Sequence, residues 1–230
     1  MEEHQVPHLN SIFSKSSCFM MLTEDELDFI STKKRQIVYN SGETVCKQGA
    51  FAPYVLYVLD GLVKVFVETG RGKFKSISLM KGGDFIAFST VFGESVYNYT
   101  AMALKESAVC MIDKEGLKKI LKDNRDFAFN IVSRNYRTEN HLLEIIKTIT
   151  HKQMPGKLAT TLLYLAQEDF LKEDVFQHLT RKEIAEFAGI TMESTVKLLK
   201  EFEQDKLISL DGKDIKILDK HGLEDVSIKG

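Results

Sequence analysis

The stretch Leu179–Ser209, LTRKEIAEFAGITMESTVKLLKEFEQDKLIS, decides the fold of the C-terminal part of the chain. Thr180 and Glu183 have the spacing of a helical capping box. Apolar residues at helical spacing then predict a first amphipathic helix, which Gly189 ends before a second helix begins. The pattern predicts a helix-turn-helix, although an ordinary pair of packed helices is the alternative.

A short hairpin is predicted directly after the second helix. Thr191 and Ser194 can cap that helix, whose apolar positions include Val196, Leu199 and Phe202. The turn dipeptide Asp211-Gly212 then lies between short apolar runs, which is typical of a two-stranded wing. A helix-turn-helix with a wing is an arrangement that docks on DNA, with its second helix in the major groove.

Length and charge limit the functional classes. A chain of 230 residues with 43% hydrophobic content is expected to fold as two domains. The net charge is only −2, and from His151 onward 12 Lys and Arg oppose 15 Asp and Glu, whereas the rest of the chain carries +1. A DNA-binding function must therefore depend on local placement of charge, with modest non-specific affinity.

The three cysteines do not suggest a metal site. Cys18, Cys46 and Cys110 are far apart and form no CxxC pattern, so neither metal nor cofactor is expected. The N-terminus does not resemble a signal peptide, which favours a cytoplasmic location. Apolar runs such as YVLYVL are too short to span a membrane.

The N-terminal half has the texture of a β-domain. Thr23 and Glu26 again have capping-box spacing and predict a short helix. Short β-type runs separated by Gly and Asp then extend from Lys33 to Lys114, and Asp60-Gly61 predicts a hairpin between YVLYVL and LVKVFV. The expected fold class is α+β, with an N-terminal β-barrel of the jelly-roll type.

A long helix is predicted to join the two ends. Its stripe contains Phe127, Ile131, Thr138, Leu142, Ile145 and Ile149, widened by Val132, Leu143 and Ile146. The stripe is broader than one barrel needs, so half of it can pack on a second subunit; a helix lying on its own barrel is the alternative. Met154-Pro155-Gly156 indicates a hinge. The expected domains are 1–123, 124–152 and 153–230.

The chain resembles the cyclic-AMP receptor / fumarate-nitrate regulator superfamily over roughly residues 25–218. The resemblance rests on TRKEIAEFAGITMESTVKLLKEFEQDKLI, on YNSGETVCKQGAFAPYVLYVLDGLVKV and on MKGGDFIAF. It implies a sensor barrel that resembles a cyclic-nucleotide-binding domain, a dimerisation helix and a C-terminal winged helix-turn-helix. It also implies a homodimer through residues 124–149, a palindromic double-stranded DNA target and RNA polymerase as a partner.

The resemblance also implies which residues contact DNA. They are Thr180, Arg181 and Lys182 for phosphate, Thr191, Met192, Glu193, Ser194 and Lys197 on the recognition helix, and Lys213 in the wing. Glu193 can accept from a cytosine amine, and Lys197 can donate to guanine. The cyclic-AMP branch usually has Arg at the position of Met192, so a TTGA-like half-site is expected rather than a TGTGA-like one.

The cyclic-AMP signature is missing from the sensor. Ala87-Phe88 stands in place of a Gly-Glu pair, Asn98-Tyr99-Thr100 contains no arginine, and Leu142-Leu143 replaces the hydroxyl pair that reads adenine. A cyclic phosphate would therefore lack a cation, and cyclic AMP is not expected to bind. The candidate pocket for an unidentified effector consists of Phe85, Ala87, Phe88, Asn98, Tyr99, Thr100 and Leu142, with Phe92 and Tyr97 nearby.

Other sensor chemistries find little support. Cys18 alone does not make an iron–sulfur site, and the six histidines form no evident haem pair. A thiol switch at Cys18 or Cys110 competes with a buried structural role for Cys110. No nucleophile–base or carboxylate pair appears at readable spacing, so no enzyme is expected. The rival to a DNA-binding regulator is a non-catalytic sensor or docking module that binds a protein partner.

Overall fold

A computed structural model describes residues 19–70 and 72–230, except for the side chains of 135–139, 141 and 149. The chain forms two compact units, the first from residues up to 63 with 80–139, the second from residues 64–79 with 140–230. The expected three-part division at 123 and 152 stays a prediction. Every helix in the described part of the chain is too short or too polar to cross a lipid bilayer.

Short strands dominate the N-terminal half. They are β1 (Lys34–Tyr39), β2 (Thr44–Cys46), β3 (Tyr54–Asp60), β4 (Leu62–Glu68), β5 (Phe74–Lys81), β6 (Phe85–Ile86), β7 (Thr100–Ala103) and β8 (Ser107–Asp113). They form two four-stranded sheets, in the orders β1-β8-β3-β6 and β2-β7-β4-β5. The jelly-roll-like arrangement confirms the predicted class, but the described strands form two open sheets and not a closed barrel.

The core of the first unit is aromatic. β3 and β8 are antiparallel with Tyr57 opposite Cys110, and both residues are buried. The Tyr57 ring packs edge-on against Phe19 at 5.0 Å, and the Phe127 ring stacks on Phe19 at 5.9 Å. The helix α1 (Glu24–Ser31) begins at the predicted Thr23 capping box, and α2 (Lys114–Asp123) follows β8.

The predicted hairpin at Asp60-Gly61 is wrong. β3 pairs with β8 and β6, whereas β4 belongs to the other sheet, so the chain changes sheets at Gly61. Gly61 has φ +102°, and a Cβ there would lie 2.3 Å from Ser107 Oγ. The glycine is therefore required by a tight corner. The Asp-Gly dipeptide correctly indicated a positive φ, but it did not indicate which strands pair.

The C-terminal half is mostly helical. Its elements are α3 (Arg125–His151), α4 (Met154–Leu165), α5 (Glu168–Leu171), α6 (Val175–His178), α7 (Arg181–Ala188), α8 (Met192–Gln204), β9 (Ile208–Asp211), β10 (Asp214–Ile217) and α9 (Lys220–Lys229). β9 and β10 are antiparallel with Asp211 opposite Asp214, which confirms the predicted wing.

The predicted hinge at Met154-Pro155-Gly156 is displaced. These residues form the first turn of α4, where proline is pre-organised for a helix, and the break from α3 lies at Lys152 and Gln153. A Cβ on Gly156 would lie 2.5 Å from the carbonyl oxygen of Gly230. The glycine therefore allows α4 to pack closely on the end of α9 and does not loosen the chain.

Candidate DNA-binding surface

The turn between α7 and α8 has the geometry that the sequence predicts. Gly189 ends α7 in the left-handed region with φ +68°. Thr191 then caps α8, and its Oγ1 accepts from the backbone N–H of Ser194 at 3.1 Å. Thr195, Leu198, Leu199 and Phe202 form the buried face of α8. The opposite face of α8 is therefore free to meet a partner.

That opposite face of α8 carries the predicted base-reading residues. Met192 is 52% exposed, and Glu193 and Lys197 are also exposed. Lys197 is 3.7 Å from Glu201 in an open surface pair, which leaves its ammonium free to rearrange. Lys200, one turn beyond Lys197 on the same face, is exposed and was missed by the sequence analysis. Its signal was the i,i+3 spacing from Lys197.

The start of α7 is fixed internally. Thr180 Oγ1 accepts from the Glu183 N–H at 3.2 Å, and the Glu183 carboxylate accepts from the Thr180 N–H at 2.9 Å, which completes the predicted capping box. The Thr180 hydroxyl also donates to Glu183 at 2.9 Å. Lys182, next along the helix, is exposed. The Lys182 side chain is therefore better placed to contact a phosphate than the Thr180 side chain, which is engaged in the cap.

Arg181 connects α7 to the wing. Its guanidinium donates to the carbonyl oxygens of Gly212 at 2.9 Å and Lys213 at 3.1 Å. Burial lowers the pKa of Arg181, which nevertheless stays protonated at neutral pH. In the structure this side chain holds the wing tip beside α7, and the phosphate contact that the sequence resemblance implies for it stays a prediction. Lys213 itself is exposed at that tip.

A buried lysine contacts α7 from the β4–β5 hairpin, which belongs to the same compact unit. Lys64 Nζ lies 2.5 Å from Glu183 and 3.7 Å from Glu186, and its side chain is only 5% exposed. Burial alone would raise the pKa of Glu183, but the hydrogen bonds from Lys64 and Thr180 outweigh burial and lower it. α7 is thus held by a desolvated ion pair as well as by its cap.

A second lysine of the hairpin meets the other end of α7. Lys75 Nζ donates to the Phe187 carbonyl oxygen at 2.6 Å. Burial, with a smaller contribution from Lys157, lowers the pKa of Lys75 to about 8. A cation at a helix C-terminus suits the helix dipole, so the hairpin satisfies both ends of α7.

Most candidate effector residues of the first unit are already engaged. Phe85 and Phe88 pack edge-on at 5.2 Å in the aromatic core. Ala87 has the left-handed φ of +58°, and its N–H donates to the Tyr99 hydroxyl at 2.6 Å. Burial raises the pKa of Tyr99 to about 12, so this hydroxyl is neutral. Tyr99 therefore satisfies the backbone group at Ala87.

The other candidate residues have individual environments. Thr100 Oγ1 accepts from the Gln48 N–H, the Asn98 amide donates to Glu94, and Asn98 is exposed. Leu142 lies on α3 in the second unit and is 41% exposed. Phe92 is 72% exposed, and Tyr97 is buried.

The cysteines within the described ranges are buried thiols. Burial raises the pKa of Cys46 and of Cys110 to about 12, which suppresses thiolate chemistry. Cys18 lies outside the described residues. In the part of the chain that the structure describes, no three His, Cys, Asp or Glu side chains are grouped as a metal site would require.

Comparisons with known proteins agree with this geometry. The cyclic nucleotide-binding domain model matches residues 36–124, and the Crp-like helix-turn-helix domain model matches residues 156–226. The chain is 23% identical to the CRP-like cAMP-activated global transcriptional regulator of Mycobacterium tuberculosis, over 94% of this chain and 98% of that protein. It is 27% identical to the transcriptional activator protein FnrA of Stutzerimonas stutzeri, over 86% and 82% respectively.

A solved structure shows the same fold. FixK2 from Bradyrhizobium japonicum has a TM-score of 0.72 at 16% identity, covering 84% of this chain and 96% of that one. The two domain models together span most of the chain and place a Crp-like helix-turn-helix where the structure has α7, α8 and the wing. The chain therefore belongs to the Crp/Fnr family of DNA-binding transcriptional regulators.

Proposed function

We propose that the protein is a non-catalytic homodimeric regulator that binds palindromic DNA in the cytoplasm and contacts RNA polymerase there. The observation that carries the proposal is the exposed face of α8, where Met192, Glu193, Lys197 and Lys200 stand opposite the buried core. Arg181 supports it by holding the wing tip, with Lys213, beside α7. Exposed lysines at these sites supply the local charge that the net composition lacks.

The residues divide into two roles. Glu193 and Lys197 read base edges, because they lie near the start of the exposed face of α8. Lys182, Lys200 and Lys213 meet phosphates, together with the N–H groups at the start of α7. Thr180 and Thr191 cap the two helices, and Ser194 supplies the N–H that Thr191 accepts from; the DNA contacts of these three residues are made through the backbone.

The dimer forms through α3. Exposed apolar residues on this helix recur two heptads apart, Phe129 with Leu143 and Val132 with Ile146. Phe127 and Ile131 are buried within the chain, so the stripe of the sequence analysis divides into an inner and an outer seam. A parallel pair of α3 helices would place two recognition helices on successive major grooves, roughly 34 Å apart.

DNA binding does not depend on cyclic AMP or cyclic GMP. The Ala87 N–H already donates to Tyr99. By sequence resemblance, Phe88 replaces the ribose-binding carboxylate of the cyclic-AMP branch, and its ring packs on Phe85. Activation by cAMP belongs to the Mycobacterium tuberculosis relative that is named for it.

The test is equilibrium competition between duplexes at several salt concentrations. We expect affinity for a promoter-derived palindrome to exceed affinity for random DNA by about 10³-fold or more, with both falling as salt rises. Equal affinity for the two duplexes at every salt concentration would favour the docking-module alternative.

A further inference from the structure

A cavity of about 430 Å³ lies inside the second unit, bounded by β5, α3, α4 and the last turn of α7. Its volume falls within the range of about 300–1,000 Å³ that is typical of small-molecule sites. The residues that line the cavity differ from the DNA-contacting residues of α7, α8 and the wing, and from the candidate effector residues of the first unit. It is a separate feature of the molecule.

The walls of the cavity are held apart by hydrogen bonds. The Tyr164 hydroxyl on α4 accepts from the Leu79 N–H of β5 at 3.0 Å. Lys75 of the same strand donates to the Phe187 carbonyl oxygen of α7 at 2.6 Å. The Tyr164 and Phe187 rings lie 6.3 Å apart. β5, α4 and α7 are therefore fixed around the cavity, which favours a pre-formed site.

The lining selects for an apolar ligand. Ile77, Leu163, Tyr164 and Phe187 contribute aliphatic and aromatic surface. The hydroxyls of two lining threonines, Thr160 and Thr161, donate to carbonyl oxygens of their own helix at 2.7 and 2.9 Å. Their hydrogen-bonding capacity is thus partly used before any ligand enters.

The charge at the edge of the cavity is balanced. Glu144 is paired with Lys147 at 2.7 Å, and both side chains are about two-thirds exposed. Hydrogen bonding and charge from Lys147 lower the pKa of Glu144, so the pair is ionised. An ionised ligand would lose its hydration against apolar walls without gaining a free counter-charge from this pair.

We propose that this cavity binds a small, uncharged and largely apolar molecule of up to three rings, at a site distinct from the candidate effector residues of the first unit. The ligand would lie among β5, α3, α4 and the end of α7, with Gln167 offering an amide at the edge. The inference concerns binding alone, so it can succeed or fail independently of the DNA-binding proposal.

The probe is N-phenyl-1-naphthylamine, an uncharged two-part aromatic molecule whose fluorescence rises in apolar surroundings. Titration into the full-length protein without DNA should give saturable binding at one site per chain. The probe should also raise the melting temperature, because a ligand that binds only the folded state stabilises it.

Two variants fill the cavity from different elements of its lining. Ile77→Trp enlarges a half-buried residue of β5, and Gln167→Trp enlarges an exposed one after α4, where folding is less at risk. Leu218→Trp is the matched control, since Leu218 is 60% exposed and does not line the cavity. Circular dichroism identifies the variants that keep the wild-type fold.

The proposal predicts at least a fivefold loss of probe affinity in each folded cavity variant and a smaller change in Leu218→Trp. It is overturned by unsaturable binding, by a folded cavity variant that retains affinity within fivefold, or by an equal loss in the control. Should Ile77→Trp fail to fold, Gln167→Trp decides the outcome alone.

Discussion

Glu193 and Lys197 are the residues on which base recognition depends in this account. Replacing either by alanine should cost about 1–3 kcal/mol at the preferred site and relax one base position, because one base-edge contact is lost. Lys220→Ala is the matched control, since Lys220 also forms an open i,i+4 surface pair, at 3.8 Å from Glu224. Binding to a panel of single-base variants measures the effect. A uniform loss across the panel would reassign the residue to phosphate.

Glu183 couples the α7 cap to buried Lys64. Glu183→Gln keeps the capping geometry but removes the charge, so the unfolding free energy at neutral pH should fall by about 1–3 kcal/mol. Because the folded pKa of Glu183 lies below its ordinary 4.5, its contribution is present above that value and is lost as pH falls through the folded pKa. The variant should therefore lose less stability in acid than the wild type.

Urea unfolding at about pH 7 and about pH 3 measures both effects. Glu168→Gln is the control, because the Glu168–Lys172 pair is exposed and worth little. An identical acid dependence in wild type and Glu183→Gln would contradict the role of the Lys64 pair.

Local signals explain which residues could be predicted. Thr180 with Glu183, Thr191 with Ser194 and the Gly189 turn depend on neighbours within a few residues, and all were readable from spacing. The Lys64–Glu183 contact joins residues 119 apart, and the Arg181 bonds to the wing join residues 31 and 32 apart. No local pattern encodes such pairings, and the phosphate contact of Arg181 stays a prediction.

At the scale of elements, α3 makes the dimer in our proposal. Leu143→Asp combined with Ile146→Asp would place charges in its outer seam and should give monomers, since burying unpaired carboxylates is costly. The control is Leu218→Asp combined with Ile228→Asp, which changes the same residue types at sites 60% and 78% exposed. Sedimentation velocity distinguishes the species. A dimer that survives the α3 substitutions would place the interface elsewhere.

The sequence predicted turns correctly where they depend on neighbouring residues, and it predicted them wrongly where they depend on which strands pair. The wing at Asp211-Gly212 formed as predicted, whereas the same dipeptide at Asp60-Gly61 turned a corner between sheets. Both glycines have positive φ, so the signal was the same and only the long-range strand partners differed. Periodicity found α3 but could not separate its buried residues from its exposed ones.

At the scale of the whole molecule, the sensor is predicted not to respond to cyclic nucleotides. Calorimetric titration with cyclic AMP and cyclic GMP should show no binding. Neutral donors such as Asn98 and Thr100 contribute less binding free energy to a cyclic phosphate than a charge-assisted hydrogen bond would. DNA-shift assays with and without each nucleotide should coincide. Micromolar binding that tightens DNA affinity would overturn this prediction.

The family could be identified from sequence because its most specific pattern is short and contiguous. What the sequence could not provide is the membership of the two units, since residues 64–79 join the C-terminal unit through contacts of Lys64 and Lys75 with α7. The candidate effector site stays a prediction, although the sequence did not show that two of its aromatic residues belong to the core. Phe85 and Phe88 were recognised as aromatic, but their packing into the core depends on Phe19 and Tyr57.

The most direct test of the central claim is selection of bound sequences from a random duplex library by the full-length protein. We predict enrichment of two-fold symmetric sites, with TTGA-like halves whose centres lie roughly one DNA turn, about 34 Å, apart. Symmetric sites with TGTGA-like halves would still support sequence-specific binding but would refute the role of Met192. A library that shows no enrichment after repeated rounds would contradict sequence-specific binding itself.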